Sequence, residues 1–496
     1  MGAAVVLTVA VTGTPAGAAP ADDFAFRNQP GTARWAAFTS YRQMVDATQM
    51  PAATARRLST AALVRATLAY PLFGNILAYN NPQQGFEKLA QRFTGARELL
   101  RRGDAGTELL RRYGTATDAA AARGLAAATQ DEQDRTRVEL WQLETLLGQP
   151  PVLATLQPAQ LDAALAVGER AFARKAAERT LYGTGGLEAT TVTLGRALAV
   201  REGWDWRGVA LLRGEPSASD AALAAVRSAA AAHRAAPGAR HALADPPGDG
   251  DRPTEPGTGG DRPTEPGDGD RPTEPGDTGG DRPTEPGDDD GDRPTEPGTG
   301  GDRPTEPGDG GDRPTDPDTG GDRPTEPGDN DGDGDRPDTD DPDDTPSRGD
   351  EPITIRTPRG TGVTAQRQGS EMTESEMRYV QRQIDGQFPR AVQESSPTRR
   401  YNCHSFAWYS QSPTNDVWLD SPGDDAYWND GSYRRWQTNQ PAGDGMRVSW
   451  VYDDHSGIEV GRTGEVRSKW GQMPVMRAPV EYDPYDDLVL NHYVRR

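Results

Sequence analysis

The chain has 496 residues, a formal charge of −22 and a single cysteine. That length exceeds what one hydrophobic core usually organises, and one cysteine excludes an internal disulfide framework. The charge says little about the folded parts. Residues 251–350 hold 33 acidic residues and ten arginines, a net −23, which leaves 43 acids against 44 bases elsewhere. With no long basic block, the chain carries no electrostatic footprint for nucleic acid.

Residues 1–21 read as a secretion signal. Ala3 to Val11 form an apolar core and Ala16-Gly17-Ala18 a small-residue cleavage pattern, although the usual basic start is missing. A core this short does not span a bilayer, and no other run of about twenty apolar residues exists. The expectation is an exported protein with no membrane span in the mature chain; an alanine-rich N-terminus of a cytoplasmic protein is the alternative. A lone thiol outside the cell is kept for intermolecular pairing or for chemistry, or is an inert buried side chain.

Residues 22–241 are expected to form an all-α domain. Ala, Leu, Arg, Glu and Gln dominate residues 25–235, and Phe86, Leu89, Phe93, Ala96, Leu99 and Leu100 recur at helical spacing. Ser59-Thr60 precede an apolar run as a cap would. Seven to ten helices are expected, in a bundle or irregular array. His233 and His241 read as solvated. Trp204 and Trp206, in GWDWRG, read as packing against a helix end. The region shows no catalytic pattern and is expected to bind or position.

Residues 242–350 are a repeat. DRPTEP begins at Asp251, Asp261, Asp270, Asp281, Asp292, Asp302 and Asp322, with DRPTDP at Asp312, spaced nine to eleven residues apart. Without apolar side chains to bury, this segment is expected to be a disordered linker. About 100 residues at ~3.1 Å each would reach ~300 Å as extended polyproline, a tether letting the C-terminal domain work away from the helical one. Asp329, Asp331, Asp333, Gly334 and Asp340 have calcium-loop spacing, but Pro337 interrupts them and no helices flank them. A solvated acidic run is the better reading.

Residues 351–496 are expected to form a compact α+β domain. They hold six of the ten Trp and nine of the fourteen Tyr. The expected order is a helix (Thr373 to Gln387), a loop, a short helix at Cys403, a surface loop over residues 411–444, and strands at Met446–Tyr452, Ser456–Val460 and Glu465–Lys469. Gly461-Arg462-Thr463-Gly464 would turn the last two into a hairpin.

The stretch YNCHSFAWYS, Tyr401 to Ser410, holds Cys403. Polar residues give way to an aromatic run there, which places the thiol near a helix N-terminus, where partial positive charge favours thiolate. A cysteine nucleophile needs a base and a group to orient it. His404 adjoins Cys403, so helical geometry would point the two side chains about 100° apart; it reads as shaping the pocket. His492, in a tyrosine-rich tail, reads as structural. His455, opening a strand, is the candidate base. Ser468, expected opposite it across the hairpin, is the candidate orienting residue, with Lys469 next to it. Tyr401, His404 and Trp470 are candidate substrate contacts, and Trp418, Trp428 and Trp436 line a groove or belong to the core.

The order NCHSFAWY, long loop, HSG, turn, V-x-S-K-W-G resembles secreted bacterial proteins with a papain-like NlpC or CHAP-type cysteine hydrolase domain. The resemblance covers roughly residues 370–480. It implies an α+β papain-like fold with Cys403 as nucleophile, His455 as base and Ser468 at the third position. It also implies an amidase or endopeptidase of peptidoglycan or another cell-wall polymer, without metal or cofactor. His404 stands where a small residue is commoner, and the third position lacks the usual His, Asn or Gln. A cysteine-dependent acyl transferase and a non-catalytic surface module remain the alternatives.

Overall fold

In the computed structural model, residues 22–123, 128–214, 220–236, 351–438, 443–451, 455–485 and 489–496 are described. The signal, the DRPTEP repeats, the calcium-like spacing and His241 lie outside them. Helices fill the N-terminal region and a sheet-rich region follows the repeat.

Local chemistry starts the helices where the sequence places caps. Ser59 accepts from Ala62 N–H to open Thr60–Leu68, and Asn81 caps Gln84 N–H with Pro82 at the first helical position. Reciprocal capping boxes, Thr129 with Glu132 and Thr373 with Glu376, open Gln130–Leu147 and Glu374–Ile384. Thirteen α-helical segments occur among the described residues before the repeat, several of four to six residues, more than the seven to ten expected. At their centre Glu144, fully buried, accepts from Tyr113 Oη (2.8 Å), Thr190 Oγ1 (2.7 Å) and Lys175 Nζ (2.6 Å). Three donors on three helices satisfy a carboxylate that burial would otherwise make very costly. His233 is not solvated: it is buried between Glu202 (2.8 Å) and Asp162 (3.3 Å). Trp206 packs as expected, under the Arg196 guanidinium at 4.1 Å.

Among the described residues the later region has ten strands: β1 (Glu351–Arg356), β2 (Gly362–Arg367), β3 (Val392–Gln393), β4 (Val417–Trp418), β5 (Tyr433–Thr438), β6 (Arg447–Trp450), β7 (Ser456–Val460), β8 (Glu465–Lys469), β9 (Val475–Pro479) and β10 (Leu490–Arg495). β1-β2-β4 form a small sheet, and β3-β9-β8-β7-β6-β10-β5 a seven-stranded one. The pairings are antiparallel throughout. The hairpin β7–β8 turns on Gly461 and Gly464, both at positive φ, as its sequence predicts. Residues 411–444 are not a surface loop. They contain β4, β5 and the turn Gly423–Asp425, and they bury Leu419, Asp424 and Tyr427.

The two regions contribute to one hydrophobic core cluster. The described residues before the repeat and those after it cluster as a single compact unit. Trp35 donates to the Gln387 carbonyl (2.7 Å), Tyr379 packs edge-on against Trp141, and Phe388 lies between Tyr41 and Trp470. The most specific link is at Gly183, whose φ of 65° breaks the helix Arg179–Glu202. A Cβ at 183 would sit 2.0 Å from the Glu376 carboxylate, which instead accepts from Gly185 N–H at 3.1 Å. A residue of the sheet-rich region thus caps a helix of the other.

Candidate functional site around Cys403

Asn402 determines where the Cys403 helix starts. Its Oδ1 accepts from Ser405 N–H (3.1 Å) and Leu419 N–H (3.3 Å), while Nδ2 donates to the Leu419 carbonyl (2.7 Å). This is an N-cap that also ties the helix to the chain after β4. Cys403 and His404 make the first turn, which widens so that Ser410 N–H reaches back to the Ser405 carbonyl, five residues earlier. Wide turns of this kind recur at functional sites. Phe406 and Tyr401 face Ile458 and Val475. Trp408 packs among Tyr427, Trp428, Tyr433 and Tyr493. The helix is therefore clamped on both sides, and Cys403 is only 2 % exposed.

The histidine on which Cys403 acts electrostatically is His404, not His455. His404 is fully buried, with Nδ1 2.9 Å from Asp424 Oδ2 and 3.0 Å from Ser456 Oγ. An ionised Asp424 only accepts, so Nδ1 carries the proton and Nε2 is left as the reactive nitrogen. Nε2 has no aligned partner, but the Cys403 side chain lies close enough to act on the ring. Burial pushes the imidazole toward neutrality. The negative charges of Cys403 and Asp424, with the hydrogen bond that Nδ1 donates to Asp424, outweigh burial and hold it well above the usual histidine value.

His455 is also fully buried, but its ring is stacked on Tyr485 at 3.6 Å and edge-on to Trp450 at 4.5 Å. Neither ring nitrogen has a hydrogen-bond partner among the described residues. Burial, then the nearby His404 charge, pull it well below the usual histidine value, so it is neutral. Ser468 does not orient it. The register Ile458↔Arg467 continues to put Ser468 opposite Gly457, where their Cβ positions nearly touch, and Ser468 Oγ accepts from Trp470 Nε1 at 3.1 Å. Tyr401 and Trp470 are buried packing residues, as is Trp418; Trp428 stacks on Tyr493, and Trp436 is 46 % exposed. His492 is buried, 2.9 Å from Glu459.

Asp424 is the functional residue the sequence hides. It sits in an Asp- and Gly-rich stretch with no periodicity, and no motif marks it. Only a requirement that buried His404 have a carboxylate partner would have singled it out.

Lys469 supports the loop that delivers Cys403. Its Nζ donates to the carbonyls of Thr398 (2.8 Å), Met473 (2.7 Å) and Gly471, and lies 5.2 Å over the Tyr401 ring. Burial pulls its pKa down to about 7, against the favourable charges of Glu371 and Cys403. A lowered lysine value means the unfolded chain holds its proton more tightly. Stability therefore rises as pH goes from about 7 toward the ordinary lysine value and falls on return, by up to about 1.4 kcal/mol per pH unit. Lys469→Met is expected to flatten that slope in urea unfolding at pH 7 to 9.5; an unchanged slope would remove Lys469 as its source.

Among the described residues no group of three or more His, Cys, Asp or Glu side chains is arranged to hold a metal ion, and no helix is long and apolar enough to cross a membrane. No protein-family model, no curated protein and no solved structure matches this chain.

Proposed function

We propose that the chain is a cysteine amidase or endopeptidase with a papain-like C-terminal fold, acting outside the cell on peptide or amide bonds of peptidoglycan. The observation that carries the chemistry is the buried Cys403–His404–Asp424 constellation. A lone cysteine adjoins an imidazole whose far nitrogen is fixed by a carboxylate at 2.9 Å. That is the nucleophile, acid–base and orienting set that acyl transfer requires. The substrate class comes from the sequence resemblance.

In this reading the Cys403 sulfur attacks the amide carbon, forming a C–S bond. Protonated His404 gives its proton to the leaving nitrogen as the C–N bond breaks, leaving a thioester. His404, now neutral, takes a proton from water. The resulting hydroxide displaces the sulfur and releases the acid. Asp424 keeps Nδ1–H in place through both steps and stabilises the imidazolium.

The test is muropeptide release from purified cell wall. Cys403→Ala is expected to release at least ~10³-fold less than the wild-type chain over a long incubation. Equal release by the two, in a chain whose Cys403 accepts a thiol label in the native state, would end the reading.

A further inference from the structure

Cys403, His404, Asp424 and His455 are all buried, and a substrate amide has no route to a sulfur that is 2 % exposed. Part of what covers the neighbourhood comes from the helical region. After the tight helix Phe73–Ala78, Tyr79 (φ −96°, ψ 167°) and Asn81 (φ −147°, ψ 154°) are extended. This segment touches three loops, one of them at Asn402, the residue before Cys403. Gln472 N–H donates to the Leu77 carbonyl at 2.9 Å. Tyr485 Oη, on the ring stacked against His455, donates to the Ala78 carbonyl. Asn402 Nδ2, next to Cys403, reaches Asn80 Oδ1 at 3.4 Å. Gly471, at φ +52°, has no room for a Cβ: Leu77 O, Ala78 C and Tyr79 O would all lie 2.5–2.6 Å away. Tyr79 Oη closes the contact by donating to the Pro484 carbonyl at 3.3 Å.

Peptide backbone is recognised through N–H and O–H donors aimed at successive carbonyls. Here such donors, Gln472 N–H and Tyr485 Oη, are engaged by carbonyls of the chain's own residues 77 and 78. We propose that Leu77–Asn81 occupies the peptide-binding groove of the Cys403 site. The chain is then latent, and Gln472 N–H and Tyr485 Oη hold substrate carbonyls once the segment withdraws. The ligand class is an extended peptide. That the two donors serve a substrate rests on the hydrolase reading. The covering does not, and a thiol label reads it without turnover.

The experiment uses the full chain, with iodoacetamide as probe and Cys403 as the only site it can label at sulfur. In the native wild type, labelling is expected to be at least ~100-fold slower than in urea, because the sulfur is reached only by local opening. Ala78 is buried against Gly471, so Ala78→Arg forces the segment off while leaving every residue of the constellation in place. It is expected to label at least ~10-fold faster and to release more muropeptide, with a cooperative melt retained. Should Ala78→Arg fail to fold, the milder pair Tyr79→Phe with Asn80→Ala, which removes the Tyr79 Oη contact to Pro484 and the Asn80 contact to Asn402, decides the matter with an expected ~3-fold acceleration. An unchanged labelling rate in a folded variant overturns the cover. Faster labelling with no muropeptide release keeps the cover and overturns the hydrolase reading instead.

Discussion

Asp424→Asn is expected to lower kcat/KM by about 10²–10⁴-fold while the protein still folds, the range for losing the carboxylate that fixes a catalytic imidazole. An amide at 424 can turn its NH2 toward Nδ1, and the ring then places its proton on Nε2, so the reactive nitrogen is already protonated and cannot act as a base. His404→Ala should cost at least as much. The pH profile separates this from simple loss of packing. His404 is held above the ordinary histidine value by the charges of Cys403 and Asp424 against the effect of burial, so the wild-type alkaline limb lies above the usual histidine range. Taking away the Asp424 charge removes one of the two charges that raise it, and the alkaline limb of the residual activity moves to lower pH. His455→Phe keeps the ring stack on Tyr485 and removes only a neutral imidazole that bonds to nothing described; it is expected to change kcat/KM by less than about 10-fold. If His455→Phe abolishes turnover while Asp424→Asn leaves the alkaline limb where it was, the roles of the two histidines must be exchanged.

That contrast also marks what sequence could convey. β7 and β8 run where Ser456–Val460 and Glu465–Lys469 place them, because alternation and paired glycines are local signals. The helix at Glu374–Ile384 starts on Thr373 for the same kind of reason. The Cys403 turn was legible too, from the change of polarity at Tyr401-Asn402. The partner of the cysteine was not. A regular helix would separate adjacent side chains, and nothing in the sequence announces a wide turn capped by Asn402 and braced on Leu419. Asp424 and Ser456 meet His404 from positions twenty and fifty-two residues away, and such encounters are decided by packing. The shared core was least legible of all. Gln387 meets Trp35 across 352 residues, and a repeat with no apolar side chains reads as a spacer whether its ends lie apart or together. His233 fails for a related reason: an alanine-rich helix suggests exposure, yet Glu202 and Asp162 enclose it.

The seam between the two regions yields the largest expected effect on stability. Arg399, on the loop that leads to Cys403, is 3 % exposed and pairs with Glu188 of the helical region. It is also the strongest favourable charge on buried Glu376, whose carboxyl burial holds above the ordinary value. Arg399→Met leaves both acids without it, and breaking a buried pair on one side typically costs about 3–5 kcal/mol. The pH dependence identifies the cause. A carboxyl whose folded value is raised binds its proton more tightly in the native state, so its contribution is present in acid and lost as pH rises through that folded value. Removing Arg399 raises Glu376 further. The deficit of Arg399→Met relative to wild type, read from urea midpoints at matched slopes, is therefore expected to be small at pH 4.5 and full at pH 7.5. A deficit equal at the two pH values would assign the loss to packing of the arginine stem, and the electrostatic account of the seam would fall. A deficit that grows with pH would mean that the loop presenting Cys403 is held through charges supplied by the helical region.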